Sequence, residues 1–122
     1  MKGRRVLIVD DSPTILNLLK ALFEEVGCEV SVAATGIDGV EKTQSESPDL
    51  VILDTVLPDI DGFEVCRRIR LSRSPEQLKI IVITGSIDAI DAVKARRMGA
   101  DDYVVKTADF KLLTDAAQQL LS

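Results

Sequence analysis

Short, unbroken runs of apolar residues alternate along this chain with segments of helical periodicity, and this alternation constrains the fold more than any other feature. Three runs of four apolar residues cover positions 6–9, 50–53 and 80–83. Parallel strands covered by helices on both faces have this continuous apolar character. The three runs therefore predict three central strands of a parallel sheet.

Two weaker strand signals complete the pattern. Val30 and Val32 alternate with polar neighbours, and the segment 103–105 is short, so we expect these to be the second and fifth strands at the edges of the sheet. Strands and helices in strict alternation, with short connections, form a doubly wound α/β fold. The sequence predicts a five-stranded parallel sheet in the flavodoxin-like order 2-1-3-4-5, with helices on both faces.

Five segments have apolar residues at intervals of three or four, which is typical of amphipathic helices. Ser12 and Pro13 predict the start of the first helix, and Gly27 and Gly99 the ends of the first and fourth. The residues expected to face the core are Ile15, Leu19, Leu22 and Val26 in the first helix, Ile37 and Val40 in the second, Phe63, Cys66 and Ile69 in the third, Ile90 and Val93 in the fourth, and Phe110, Leu113, Ala117 and Leu120 in the fifth.

Length and composition limit the classes of function. A chain of 122 residues has the size of one domain, so we expect residues 1–122 to form a single domain. The net charge is −5 and no basic cluster exceeds pairs such as Arg67-Arg68, which argues against direct binding of nucleic acid. No apolar run approaches the roughly 20 residues of a membrane span, so no membrane insertion is expected. Cys28 and Cys66 are interpreted as core residues in a reducing, cytoplasmic setting.

The sequence contains no histidine. This excludes Ser-His-Asp and Cys-His catalysis, metal ligation by imidazole and a phosphohistidine carried by this chain. Any chemistry must come from carboxylates, hydroxyls and lysine.

Such residues follow or end the predicted strands. Asp10 and Asp11 follow the first strand, Asp54 the third and Thr84 the fourth, while Lys106 follows the fifth. In the order 2-1-3-4-5 these strands are neighbours, and the carboxyl ends of parallel strands share one edge of the sheet. The sequence therefore predicts one crevice that contains three carboxylates, a hydroxyl and an ammonium group.

Three carboxylates in one crevice require a cation. Two carboxylates about 5 Å apart repel by roughly 3 kcal/mol at an effective dielectric constant near 20. An all-oxygen, carboxylate-rich site favours a hard divalent ion, above all Mg²⁺. Such an ion can bridge to a phosphoryl oxygen while a lysine and a hydroxyl hold the others, and a carboxylate can act as nucleophile. The pattern thus indicates phosphoryl transfer.

The loop after the third strand is too long for Asp54 to cap the helix that follows. Pro58 and Gly62 delay the next helix by several residues, so Asp54 is not its cap. Asp61 is the better cap candidate, and Asp59 is interpreted as a solvated loop residue. A residue that ends a wholly apolar strand and caps no helix is a candidate for chemistry.

Five segments together resemble the receiver family of bacterial response regulators, the CheY-like fold, over essentially the whole chain. Each segment is weakly specific alone, and their order and spacing make the set highly specific. They are Val-Leu-Ile-Val-Asp-Asp-Ser at 6–12, Leu-Val-Ile-Leu-Asp at 50–54, Leu-Pro-Asp-Ile-Asp-Gly-Phe at 57–63, Ile-Val-Ile-Thr-Gly at 81–85 and Gly-Ala-Asp-Asp-Tyr-Val-Val-Lys at 99–106.

The resemblance implies a role for each residue of the crevice. Asp54 would accept a phosphoryl group from a histidine of a partner kinase or from a small phosphodonor. Asp10, Asp11, Asp54 and the backbone carbonyl of Val56 would surround Mg²⁺, for which Mn²⁺ can substitute. Lys106 would pair with phosphoryl or carboxylate oxygens.

The resemblance also implies a switch and a set of partners. Thr84 would turn to the phosphoryl group and Tyr103 would turn inward into the space that Thr84 leaves, which changes the surface built by the fourth helix, fifth strand and fifth helix. The implied partners are a sensor histidine kinase or histidine phosphotransfer protein, and an output domain or downstream protein. The chain would be a monomer or a phosphorylation-dependent dimer, and a signalling protein rather than a metabolic enzyme.

One segment departs from the family pattern. The family usually has a proline, commonly with a cis bond, after the lysine, and often an aromatic residue next. This chain has Thr107 and Ala108 there. Because a cis bond before a residue other than proline costs about 2.5–4 kcal/mol, we expect the Lys106–Thr107 bond to be trans.

Three alternative functions can be compared with the same residues. A degenerate receiver would bind partners without phosphorylation, and the intact acidic set with Thr84 and Lys106 argues against it. A flavin-binding protein of this fold requires a phosphate-binding loop rich in hydroxyls and glycine after the first strand. This chain has Asp10 and Asp11 there, which would repel the phosphate. An aspartate-nucleophile phosphatase requires a second aspartate two residues after the nucleophile. This chain has Val56 at that position, which argues against a phosphatase.

Overall fold

The computed structural model describes residues 1–86 and 88–122, and across them strands and helices alternate as the sequence predicts. The strands are β1 Arg5–Val9, β2 Glu29–Ala33, β3 Leu50–Asp54, β4 Lys79–Thr84 and β5 Asp102–Val105. The helices are α1 Pro13–Glu25, α2 Gly36–Glu46, α3 Gly62–Arg70, α4 Ala89–Met98 and α5 Lys111–Leu121.

Within the described residues the five strands form one parallel sheet in the order β2-β1-β3-β4-β5. In the register of this sheet, Val9 is opposite Leu53 and Asp54 is opposite Ile83. The predicted fold class and strand order are therefore confirmed. The chain order reverses between β1 and β3, which is where ligands bind in sheets of this type.

Helices cover both faces of the sheet, and each face has its own core. On one face α2, α3 and α4 pack over alternate strand residues, and on the other face α1 and α5 pack over the rest. Strand β3 lies in the middle and all five of its residues are buried. A strand buried on both faces must be continuously apolar, so the run at 50–53 is explained by its position.

Side chains next to the helix ends satisfy their backbone groups. Ser12 caps α1 by accepting from the Ile15 amide, Asp61 caps α3 and Asp88 caps α4. At the other end, Gly27 and Gly99 have φ of +92° and +106°, a left-handed conformation that glycine adopts without strain. The predicted starts of α1 and α3, and the predicted ends of α1 and α4, are confirmed.

The predicted inward faces of three helices are wrong in part. Val26, Ile37, Ile90 and Val93 are exposed by 47 to 78%. Helix α2 turns small residues to the sheet instead, and α4 buries Ala95, because short side chains let these helices lie close to the strands. A β-carbon on Gly39 would lie 2.8 Å from Val9 Cγ2, so α2 has no room for a larger side chain there.

None of the helices in the described ranges combines the length and the apolarity that a membrane crossing requires. The two cysteines predicted to be core residues are buried. Burial raises the pKa of Cys66 to about 12, and burial also raises the pKa of Cys28.

Candidate functional site

The carboxyl ends of four adjacent strands place the predicted site residues at one edge of the sheet. Asp10 follows β1, Asp54 ends β3, Thr84 ends β4 and Lys106 follows β5. Short backbone bonds fix these ends, because the Lys106 amide donates to the Thr84 carbonyl at 2.7 Å and the Asp10 amide donates to Ala33 at 3.1 Å. The parallel sheet therefore assembles residues that lie far apart in sequence.

Three carboxylates meet at this edge. One oxygen from each of Asp10, Asp11 and Asp54 lies within 4.8 Å of the other two. Asp10 is fully buried and Asp54 is 8% exposed, whereas Asp11 is exposed. A cation bound here would meet two oxygens from the protein interior and one from the solvent side, so the donor set and its spacing fit a hard divalent ion.

Lys106 supplies a positive charge to the same cluster. Its Nζ atom is 3.2 Å from Asp10 Oδ2 and 3.5 Å from Asp54 Oδ1. One ammonium group cannot neutralise three carboxylates, so the ionised cluster keeps a net charge of about −2. The remaining repulsion among the three carboxylates favours binding of a further cation.

The two buried carboxylates differ in their surroundings. Asp10 Oδ1 also accepts from the Ser12 amide at 2.9 Å, so this carboxylate is bound to the start of α1. Asp54 accepts a longer bond of 3.4 Å from the Val56 amide. Burial, and then the charge of Asp10, raise the pKa of Asp54 above its usual range, while Lys106 opposes the shift. The hydrogen bond and the ion pair of Asp54 are both longer than those of Asp10.

Thr84 lies at the expected strand end, but its hydroxyl is engaged elsewhere. It donates to the Ser86 carbonyl at 2.9 Å and accepts from the Ser86 amide at 3.4 Å. The structure thus brings Asp10, Asp11, Asp54 and Lys106 together, while the Thr84 hydroxyl bonds its own loop.

Tyr103 lies on the opposite face of β5 from Val104, as the period-two alternation predicts. Its side chain is 8% exposed and packs in the core under α3 and α4. Among the described residues its hydroxyl has no hydrogen-bond partner, although it is buried. An unsatisfied buried hydroxyl costs about 1–3 kcal/mol, so this position of the ring is held by packing alone.

The loop after Lys106 forms without the proline that the family usually has. The Lys106–Thr107 bond is trans, which confirms the prediction. The Thr107 carbonyl accepts from the Phe110 amide at 3.1 Å, and the Thr107 hydroxyl donates to Asp109 at 3.3 Å. Phe110 has φ of +55° and is buried, so it precedes α5 instead of lying within it.

Asp59 has a role that the sequence interpretation missed. It is exposed, as expected of a solvated residue, but its two oxygens accept from the backbone amides of Gly36 and Ile37, each at 2.8 Å. Burial would raise its pKa, but the backbone hydrogen bonds, with those of Ile37 and Ile60 the largest, lower it. Its partners lie 22 and 23 positions away, so no local pattern could have revealed them.

The fold and site define a doubly wound α/β domain with an acidic cluster and a lysine at the switch point of its sheet. Residues 6–118 match the family described as the response regulator receiver domain. The chain belongs to this family of two-component signalling domains.

Relatives and solved structures of the same family support this assignment. Transcriptional regulatory protein AfsQ1 of Streptomyces coelicolor is 44% identical over 88% of this chain and 47% of its own length. Protein PilH of Pseudomonas aeruginosa is 36% identical over 97% of this chain and 98% of its own length. The structure of response regulator TrrA of Thermotoga maritima, in complex with Mg²⁺-BeF, has a TM-score of 0.86 at 38% identity, with coverage of 98% of this chain and 99% of that one.

The relatives differ in length. The chain spans about half the length of AfsQ1 and of two other transcriptional regulators among its relatives, and nearly all of PilH. The family assignment therefore concerns the receiver domain.

Proposed function

We propose that this chain is a phosphorylation-switched receiver in which Asp54 accepts the phosphoryl group. The observation that carries the proposal is the cluster itself: three carboxylate oxygens lie within 4.8 Å of one another, and Lys106 is 3.5 Å from Asp54 Oδ1. The donor would be a phosphohistidine of a sensor kinase or phosphotransfer protein, or a small phosphodonor. An oxygen of Asp54 forms a bond to phosphorus as the bond from phosphorus to the donor atom breaks.

The residues of the cluster would also bind the metal ion and the phosphoryl oxygens. Asp10, Asp11 and Asp54, with the Val56 carbonyl, would hold Mg²⁺ or Mn²⁺, because all four donors are oxygen atoms. When bound, the ion would supply positive charge next to the phosphoryl oxygens. Lys106 holds another of these oxygens with its ammonium group. Catalysis of this kind is positioning with electrostatic stabilisation.

The TrrA structure supports the choice of metal. It contains Mg²⁺ together with BeF, and it is 38% identical to this chain over 98% of its residues. The donor set here fits the same ion by its chemistry, since hard oxygen ligands with one solvent-facing carboxylate suit Mg²⁺.

We extend the proposal to a switch that links Asp54 to the surface formed by α4, β5 and α5. The Thr84 hydroxyl is bound to Ser86, and turning it to a phosphoryl oxygen would break that bond. Tyr103 is adjacent on β5 and its hydroxyl has no partner in the described part of the chain. If the movement of Thr84 brought a hydrogen-bond acceptor near the Tyr103 hydroxyl, the buried position of the ring would be stabilised. The populations of the conformations of the surface formed by α4, β5 and α5 would then shift.

The same surface includes an exposed apolar groove on α4 that a partner protein could bind. Ala89, Ile90, Val93 and Met98 line a cavity of about 500 Å³, with Lys94 and Arg97 beside them. Ile90 is 78% exposed and Val93 is 52% exposed. An output domain or downstream protein that buries these side chains would gain hydrophobic free energy.

The test is intact-mass analysis after incubation with acetyl phosphate and Mg²⁺. One labile phosphoryl group is expected on the protein and none on Asp54→Asn. Asp115→Asn is the matched control, because it makes the same chemical change on an exposed residue of α5. Equal labelling of Asp54→Asn and the control would refute the acceptor assignment, and no labelling of any variant would favour a receiver that binds partners without phosphorylation.

A further inference from the structure

Helix α2 begins beside the candidate site, and a distant residue satisfies its first backbone amides. The first N–H groups of a helix have no partner within the helix. Thr35 caps α2 locally, since its hydroxyl accepts from the Asp38 amide at 3.1 Å. The Gly36 and Ile37 amides donate instead to the two oxygens of Asp59, each at 2.8 Å.

Asp59 belongs to the loop of residues 55–61, which starts directly after Asp54 and contains Val56. Backbone bonds fix the two ends of this loop: the Thr55 amide donates to Ile83 at 3.2 Å and the Gly62 amide donates to Thr55 at 3.1 Å. The Asp59 carboxylate binds the middle of the loop to α2. Beyond these bonds and the bond of 3.4 Å from the Val56 amide to Asp54, the link from the loop to α2 depends on this one side chain.

The loop and α2 also approach closely. A β-carbon on Gly36 would lie 2.6 Å from Ile60 Cγ1 and 3.0 Å from the Ile60 carbonyl oxygen. Only a residue without a side chain fits between the two segments. This contact limits the loop sterically, while the charge-assisted bonds of Asp59, which are roughly twice as strong as neutral ones, set its position.

We propose that Asp59 is a positioning residue for the divalent cation: it ties the loop to α2 so that the Val56 carbonyl is held ready for the metal. The inference rests on the proposed function, because it gives Val56 the ligand role proposed there. Without Asp59 the middle of the loop would be less ordered in the metal-free protein, and the entropy of ordering it on binding would be lost from the affinity. Cation affinity would therefore fall while the acceptor Asp54 stays intact.

A matched pair of variants separates positioning from loss of charge or of a helix cap. Asp59→Ala and Asp61→Ala each remove one carboxylate from the same short segment, and each removes acceptors at a helix start. The Asp61 carboxylate accepts from Glu64 of the helix that follows it directly and leaves the link to α2 intact. Asp59→Asn keeps one acceptor and provides a milder variant.

The measurements are the dissociation constant for Mg²⁺ by calorimetry and the hydrogen exchange of backbone amides in metal-free protein. Asp59→Ala should weaken Mg²⁺ binding about tenfold more than Asp61→Ala, as loss of an outer-shell partner commonly does. Asp59→Asn should lie between Asp59→Ala and the unchanged protein. The Gly36, Ile37 and Val56 amides should exchange faster in Asp59→Ala only, and the labelling rate of Asp54 at saturating Mg²⁺ should stay near that of the unchanged protein.

Equal dissociation constants for Asp59→Ala and Asp61→Ala, with no change at Val56, would overturn the inference and leave the proposed function standing. If the unchanged protein bound no Mg²⁺, the metal site of the proposed function and the inference would both be overturned. Circular dichroism establishes that each variant is folded, and Asp59→Asn carries the comparison if Asp59→Ala is not.

Discussion

Lys106 Nζ lies 3.2 Å from Asp10 Oδ2, although the two residues are 96 positions apart in the chain. The pair joins the end of β1 to the end of β5 across the two strands between them. Asp10 is fully buried, so its carboxylate depends on this ammonium group and on the Ser12 amide for compensation.

Lys106→Met keeps most of the side-chain volume and removes the charge. We expect the metal-free protein to lose about 2 kcal/mol of stability, because a buried carboxylate loses its charged partner. Mg²⁺ binding should become tighter, since the ammonium no longer competes for the same oxygens. Urea unfolding and calorimetry measure the two effects. Weaker Mg²⁺ binding in Lys106→Met would contradict the electrostatic account.

Asp11→Ala tests the metal site from its solvent side. In the unchanged protein, Mg²⁺ at ten times its dissociation constant should add about 1.4 kcal/mol of stability, because the ion binds the folded state. The gain should vanish in Asp11→Ala and persist in Asp115→Ala, whose carboxylate is exposed on α5. Thermal unfolding with and without Mg²⁺ measures it, and an unchanged response in Asp11→Ala would place the ion elsewhere.

Gly62→Ala tests how tightly the start of α3 packs against the end of β3. A β-carbon at Gly62 would lie 2.1 Å from the Asp54 carbonyl oxygen, a backbone atom that cannot move aside. We expect a loss of about 3 kcal/mol and slower labelling of Asp54. At Gly85 a β-carbon meets no heavy atom of the described residues within 4 Å, so Gly85→Ala should be nearly neutral. Denaturant unfolding measures the stability of both variants. Equal stabilities of Gly62→Ala and Gly85→Ala would contradict a close contact at Gly62.

Tyr103→Trp reports the proposed switch. Phosphorylation should change the tryptophan fluorescence, because the environment of the ring changes with the Thr84 hydroxyl. The change should be lost in Tyr103→Trp/Thr84→Ala and kept in Tyr103→Trp/Thr84→Ser, which retains a hydroxyl. Coupling energies between sites are typically about 1–3 kcal/mol, so a partial shift in population is expected. An equally large response without the hydroxyl would rule out this coupling.

Cys66 should make the protein less stable in alkali. Burial raises its pKa in the folded state to about 12, whereas the unfolded thiol ionises near 8.5. Above about pH 8.5 the unfolded state binds fewer protons than the folded state, so stability falls with pH by up to about 1.4 kcal/mol per unit. Urea unfolding between pH 8 and 9.5 should show a shallower decline in Cys66→Ala; identical slopes would contradict the shift.

Much of the site was predictable because of the periodicity of a parallel sheet. Continuous apolar runs identified the buried strands, and a polar residue that directly follows such a run must lie at the carboxyl edge. For this reason the sequence places Asp10, Asp54 and Lys106 at one edge of the sheet, and in the structure both carboxylates lie within 3.5 Å of the Lys106 ammonium group. The roles of these three residues, like those of Asp11, Val56, Thr84 and Tyr103, stay proposals.

Helix faces were predicted less well, since apolar spacing alone does not say which side a neighbour covers. Helix α4 buries Ala95 and leaves Ile90 and Val93 exposed, because a close approach to the sheet admits only short side chains. In α2, Gly36 and Gly39 face the protein interior for the same reason. Residue size at a contact depends on the distance between elements, which the tertiary structure sets.

The sequence by itself determined the alternation of strands and helices, the strand order and the edge at which the acidic residues gather, because these follow from patterns within a few residues of one another. The tertiary structure decided which polar groups pair. Asp59 holds α2 from another loop, the Thr84 hydroxyl is bound to Ser86, and the Tyr103 hydroxyl is buried with no partner in the described part of the chain. Hydrogen bonds form only within about 3.5 Å and along set directions, so such pairings depend on the packed position of every neighbouring element.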